Sequence, residues 1–253
     1  MTSTKPTIIM VPGAWHPASC FDAIASSLQS HSYKTIQITT PTVGSTLPFS
    51  ADVKAIRSAI SDSADKGEEV LLFMHSYGGV PGCCAVEGLS RESLAQAGKR
   101  GGVVGLVFCT AWMLDVGEAI LSNPIVNSSK ARGVSDDPME VWKPRGGPAH
   151  CFYNDMNAME QERWVGMLKH HSFDTVMRSE VTYAAWKHVP TTYIFCTEDN
   201  TIIYQTQQNL VERARKEGSH LRTERLDASH SPFLSMPEAV VDCVRRAALE
   251  DDF

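Results

Sequence analysis

The sequence predicts an α/β protein with a mostly parallel central sheet of about six strands and helices on both faces. Three observations lead there. Short apolar runs recur along the 253 residues, amphipathic stretches of helical length separate most of them, and a buried-type strand near residue 70 runs into a Gly-containing turn and then a helix. The strand candidates are 7–11, 35–38, 70–73, 105–109, 191–196 and 220–225. Between them 21–29, 50–64, 79–89, 204–216 and 237–249 place apolar residues at helical spacing. Right-handed crossovers then put these helices on both faces of the sheet.

The alternation breaks between about 114 and 188, which is rich in Pro, Gly, polar residues and aromatics and carries no convincing buried strand. An insertion accounts for this. Its stretches 158–169 and 173–186 have helical spacing, so the segment is expected to form a small helical cap over the strand ends of a single domain spanning 1–253. No repeat, low-complexity tract or heptad run is present.

Composition narrows the function classes. Apolar residues make up 43% and charged residues 21%, ordinary for a globular protein, and the formal charge is −6, which gives no footing for a nucleic-acid surface. Seven scattered cysteines without paired spacing suggest neither a disulfide framework nor a metal site. No apolar run reaches the roughly twenty residues of a membrane span, and the N-terminal run is short for a signal sequence. These features predict a cytoplasmic protein with no metal, no cofactor and no membrane or nucleic-acid partner. A small hydrophobic molecule is the expected partner, with association into a homodimer left open.

The chemistry is concentrated at strand ends. The run from Val70 to Gly79 reads as a nucleophile elbow, in which Ser76 sits on a tight turn that lifts its hydroxyl into a cleft. Gly78 and Gly79 let helix and strand approach. The competing reading of Ser76 taken alone, given less weight, is a helix N-cap before Tyr77. A hydroxyl is a weak nucleophile, however, and needs a base whose tautomer is fixed by an acid. Asp199 follows the 191–196 strand and His230 follows the 220–225 strand, in the order nucleophile, acid, base and on the rim where open α/β sheets bind ligands. Glu198 and Asp227 are competing acids, and Asp199 is preferred because it lies deeper in its loop. His75, His150, His170, His171 and His188 read as packing or surface residues. An oxyanion formed at Ser76 needs preorganised donors. These are expected from the Tyr77 N–H and from the Ala14 or Trp15 N–H in the loop after the first strand, where Gly13 lets the backbone turn inward. Gly13, Met74, Cys109, Trp112, Met113 and Trp186 are candidate pocket residues, with core packing as the competing reading for Cys109. Cys83 and Cys84 read as helix packing. Trp15, Trp142, Phe152, Tyr153 and Trp164 could extend an aromatic wall.

These motifs carry a resemblance. Val11-Pro12-Gly13-Ala14-Trp15-His16, His75-Ser76-Tyr77-Gly78-Gly79, Cys196-Thr197-Glu198-Asp199 and Ser229-His230-Ser231-Pro232-Phe233-Leu234 resemble the small fungal and bacterial α/β-hydrolase-fold family. More loosely, they resemble the plant methyl-ester esterase and hydroxynitrile lyase group. The likeness spans nearly the whole chain, and the run Cys151 to Asp155, with the run Val181 to Trp186, resembles the cap of such hydrolases. It implies that Ser76, Asp199 and His230 match the family triad, and that the chain is a serine hydrolase of an ester or lactone in a small hydrophobic secondary metabolite. A lyase or cyclase using His230 as general base is the second reading, and a ligand-binding protein with a slow triad is the third. One departure bears on the choice. The family elbow keeps Gly two residues before the nucleophile, where this chain has Met74. Either its thioether points into the cleft or the turn is displaced, and a shape-restricted or non-hydrolytic reaction gains weight.

Overall fold

The computed structural model describes residues 5–125 and 146–249. Its sheet holds six parallel strands, β1 (Thr7–Val11), β2 (Thr35–Gln37), β3 (Glu69–His75), β4 (Gly102–Cys109), β5 (Thr191–Cys196) and β6 (Leu221–Leu226), in the order β2-β1-β3-β4-β5-β6. This is the α/β-hydrolase fold, and all strand pairs among the described residues are parallel. The chain leaves β1 in one direction to build β2 and then crosses back to β3. The loops after β1 and β3 therefore diverge and open a crevice between them, as at other topological switch points.

Side-chain alternation along the strands builds a core on each face. Ile9 and Val11, Leu72 and Met74, Phe108, and Tyr193 and Phe195 pack towards α2 (Phe49–Ala64), α3 (Gly79–Ala85) and the Tyr204–Lys216 helix. Ile8 and Met10, Leu71 and Phe73, Val107 and Cys109, and Ile194 pack towards α1 (Asp22–Ser30) and the C-terminal Pro237–Leu249 helix. The alternation slips once, where a register shift between Val70 and Leu71 aligns Leu71 with Gly105. A Cβ at 105, next to the extra residue on β4, would lie 2.7 Å from the end of the Leu71 side chain, which would have to move to admit it.

The remaining helices are α4 (Arg91–Gln96), α5 (Gly147–Phe152), α6 (Ala158–Met167), α7 (Phe173–Arg178), α8 (Tyr204–Lys216), α9 (Pro232–Ser235) and α10 (Pro237–Leu249). Between β4 and β5 the described residues hold helices and no strand. Two expected helices are shorter than their apolar spacing suggested. The helix after the elbow ends at Ala85, and the chain reaches Gly88 at φ 70°. The 173–186 stretch breaks after Arg178, where Ser179 turns extended, and resumes only as the 3-10 turn Ala185–Lys187. Trp142 lies outside the described residues.

Candidate active site

Three strand ends converge on one hydrogen-bonded chain. Ser76 follows β3, Asp199 follows β5 and His230 follows β6. His230 Nε2 lies 2.9 Å from Ser76 Oγ, and His230 Nδ1 lies 2.7 Å from Asp199 Oδ2. Ser76 is 7% exposed, Asp199 4% and His230 1%, so the chain is largely shielded from bulk water. The competing acids stand elsewhere. Glu198 is exposed, and exposed Asp227 accepts from Thr197 and Arg225.

The turn at Ser76 has φ 51°, in the left-handed region that a non-Gly residue enters at a cost of about 1–3 kcal/mol. Packing holds it there. The Trp112 N–H donates to Ser76 O at 3.1 Å, and a Cβ on Gly78 would lie 2.7 Å from Val11 O. Trp15 (φ 65°) and Thr110 (φ 37°) are also left-handed. Thus three of the four non-Gly residues with positive φ among the described residues surround this one cleft.

Asp199 and His230 are each fixed from several sides. Asp199 Oδ1 accepts from the Thr201 and Ile202 N–H groups at 2.6 and 2.9 Å, and Oδ2 accepts from the Thr110 hydroxyl. With its lone pairs engaged, the carboxylate holds one orientation towards His230. The buried His75 donates from Nε2 to the His230 carbonyl at 2.8 Å, its ring 4.7 Å from that of His230. Asp155 Oδ2 accepts from the Ser229 N–H at 3.0 Å and from the Ser235 hydroxyl at 2.6 Å, tying the stretch after α5 to the His230 loop. Sequence reading missed Thr110 and the Asp155 tie. The Cys151 to Asp155 motif was the one available signal for the latter.

Gly13 brings the loop after β1 against the elbow. A Cβ there would lie 2.8 Å from His75 Nδ1 and 3.0 Å from Ser76 Cβ, so the close approach requires glycine. Gly13→Ala is accordingly expected to push this loop outward and lower kcat about 10²-fold while leaving the protein folded. Steady-state kinetics beside a thermal melt checks it, and unchanged kcat would contradict it.

The loop's donors differ in their engagement. The Trp15 N–H donates to His171 Nδ1 at 3.4 Å, whereas the Ala14 N–H has no hydrogen-bond partner among the described residues. The Trp15 ring is half-buried and stacks on Phe152 with centroids 5.8 Å apart, and Phe152 in turn lies 5.7 Å from the His230 ring.

Several expected pocket residues are instead enclosed in the core. Met74 is fully buried with its thioether against Gly82 on α3, where a Cβ at 82 would lie 3.0 Å from Met74 Cγ. The bulk at 74 is thus accommodated by the missing side chain at 82. Cys109 alternates with Phe108 and faces the α1 and α10 core, beside Cys196. Met113 and Trp186 are 0% and 1% exposed in the opposite cluster, and the Trp186 indole N–H donates to Leu114 O. Trp112 belongs to the same cluster and serves the site through its backbone.

Three buried imidazoles near the site are kept neutral. Burial pushes His16 down to about 4, against the pull of its hydrogen bond to Ala14 O, and burial brings His171 to about 4 as well. Burial also holds His75 well below the ordinary histidine value. In the unfolded chain these groups take up protons near 6.5, so the stability they contribute is complete above that pH and is lost as pH falls from 6.5 towards 4. At about 1.4 kcal/mol per unit the loss reaches about 3 kcal/mol for each of His16 and His171. Thermal midpoints are expected to be level from pH 8 to 7 and to drop below 6.5, with a shallower drop for His16→Gln. Identical slopes for the two proteins would contradict this.

Residues 8–243 match the model of the alpha/beta hydrolase family, and the chain belongs to that family. It is 29% identical to the alpha/beta hydrolase nvfD of Aspergillus novofumigatus, over 97% of this chain and 98% of that one. It is 26% identical to a probable hydrolase of Phoma sp., over 97% and 99%. Among solved structures, a mutant of polyneuridine aldehyde esterase superposes with a TM-score of 0.73 at 18% identity, covering 95% of this chain and 98% of that one. A methylesterase from Arabidopsis gives 0.69 at 20% identity, covering 96% and 98%. No helix among the described residues is long and apolar enough to cross a membrane, and no group of three or more His, Cys, Asp or Glu there could hold a metal ion.

Proposed function

We propose that the protein is a serine hydrolase that cleaves an ester or lactone of a small hydrophobic metabolite. The observation that carries this reading is the continuous hydrogen-bonded chain from Ser76 Oγ through both nitrogens of His230 to Asp199. Asp199 accepts the Nδ1 proton of His230, which leaves Nε2 as the acceptor for the Ser76 proton. Ser76 attacks the carbonyl, and the developing oxyanion meets the Tyr77 N–H at the start of the helical run behind the elbow. The Ala14 N–H, unengaged among the described residues, is the second donor; Trp15 already has a partner. His230 then gives its proton to the leaving alcohol, and water resolves the acyl-enzyme by the same route in reverse.

Hydrophobic substrates are supported by the stacked Trp15 and Phe152 rings beside His230. The relatives named as hydrolases and the structural neighbours named as esterases support the same reaction class. The lyase or cyclase alternative drew on Met74, and that side chain packs into the core away from the cleft. Turnover of an ester and lactone panel in ¹⁸O-water tests the proposal. One heavy oxygen is expected in the acid product. Product formation without label would overturn hydrolysis.

A further inference from the structure

Beneath the loop after β1 lies a second buried polar chain. The segment 169–171 holds the peptide groups on both sides of Trp15, because the Lys169 N–H donates to Trp15 O at 3.0 Å and the Trp15 N–H donates to His171 Nδ1 at 3.4 Å. The other nitrogen, His171 Nε2, lies 2.7 Å from Thr42 Oγ1. Thr42 in turn donates its hydroxyl to Asp52 Oδ2 at 2.5 Å and its N–H to Asp52 Oδ1 at 2.9 Å. The Tyr77 hydroxyl also donates to Asp52 Oδ2, at 2.9 Å. Asp52 is 0% and His171 3% exposed.

Proton counting fixes the direction of this chain. With Asp52 ionised, the Thr42 hydroxyl spends its one hydrogen on that carboxylate, so towards His171 it can only accept. His171 is therefore the Nε2–H tautomer, and its bare Nδ1 faces the Trp15 N–H. Burial keeps this ring neutral, and a protonated ring could not accept from Trp15. Trp15 holds a left-handed backbone that an aromatic residue seldom adopts, and it follows Ala14 directly. Asp52 thus reaches both loops that supply oxyanion donors, one through the Tyr77 side chain and the other through Thr42 and His171.

We infer that Asp52, Thr42 and His171 form a positioning relay that sets the oxyanion hole, with His171 Nδ1 holding the Trp15 peptide so that the Ala14 N–H stays aimed into the cleft. The inference rests on the proposed Ser76 chemistry. His171 touches no reacting atom; it acts through the Trp15 peptide on a donor whose displacement is costly in the transition state and nearly silent in substrate binding.

Three substitutions separate the two ends of the imidazole. In His171→Asn the amide oxygen occupies the Nδ1 position and can still accept from Trp15. In His171→Gln the amide reaches Thr42 but offers Trp15 nothing. His171→Phe keeps the ring volume and neither bond. The rate of Ser76 labelling by a fluorophosphonate, and kcat and KM on the best ester, are measured for each, with Ser76→Ala as the blank. Gln and Phe are expected to slow labelling and lower kcat about 10²-fold with KM within about threefold, and Asn to recover about tenfold or more of the loss. Labelling by the Gln variant at the wild-type rate overturns the inference. So does a loss of equal size in all three variants that tracks only a fall in thermal midpoint. If the wild type itself is not labelled, the Ser76 reading falls and this inference with it; labelling of the wild type with no spread among the variants removes this inference alone.

Discussion

Ser76→Ala is expected to lower kcat on the best ester by about 10⁴-fold or more, with KM and thermal stability little changed, because deletion of a nucleophile leaves only binding and oxyanion donors. The structure indicates why stability survives. Among the described residues the Ser76 side chain bonds to His230 alone, whereas the turn itself is held by the backbone bond from Trp112 and by the close approach of Gly78 to the end of β1. Ala retains that backbone, although it inherits the cost of a positive φ. Kinetics on purified variant and wild type checks the value. A loss below tenfold would show that Ser76 Oγ forms no covalent bond to the substrate.

Asp199→Asn should cost nearly as much, about 10³- to 10⁴-fold in kcat near neutral pH, through the tautomer of His230. Oδ1 of Asp199 receives two backbone N–H groups, so the Asn oxygen would take that place and its NH₂ would face His230. An NH₂ donates where the carboxylate accepted. The imidazole would then carry its proton on Nε2 and could no longer take one from Ser76. The same NH₂ also confronts the Thr110 hydroxyl, which can rotate to accept, so folding should survive. Fluorophosphonate labelling of this variant should be slow as well. Wild-type labelling and turnover would remove Asp199 from the reaction.

Much of this architecture is written in local patterns. The apolar runs of β1, β3, β4 and β5 and the intervening amphipathic stretches mark the centre of the sheet, since a strand buried on both faces carries few polar residues and a covering helix has one apolar stripe, whereas the edge strands β2 and β6 keep partly exposed polar residues. The elbow and the two post-strand loops are legible for the same reason, each being a short motif at a strand end. What escaped sequence reading is what depends on distant partners. Thr42 meets His171 across 129 residues, and Thr110 meets Asp199 across 89, with no local signature in either case. His171 accordingly read as surface or packing, though it lies against the loop after β1.

Where the pocket candidates lie turns on a related point. Cys109 ends a strand on the rim, and strand alternation turns it to the face opposite Phe108, in keeping with the packing reading. Met74 breaks the small-residue habit of its elbow, but the compensating space at Gly82 lies eight residues on, across the turn and on α3. A substitution rule applied to one position cannot see an exchange of volume between two.

The most direct test of an activated Ser76 is the intact mass of the protein after exposure to a fluorophosphonate, for wild type and Ser76→Ala side by side. One adduct on the wild type and none on the variant is the expected result. An unmodified wild type, or an adduct that persists in Ser76→Ala, would contradict the assignment of Ser76 as the nucleophile.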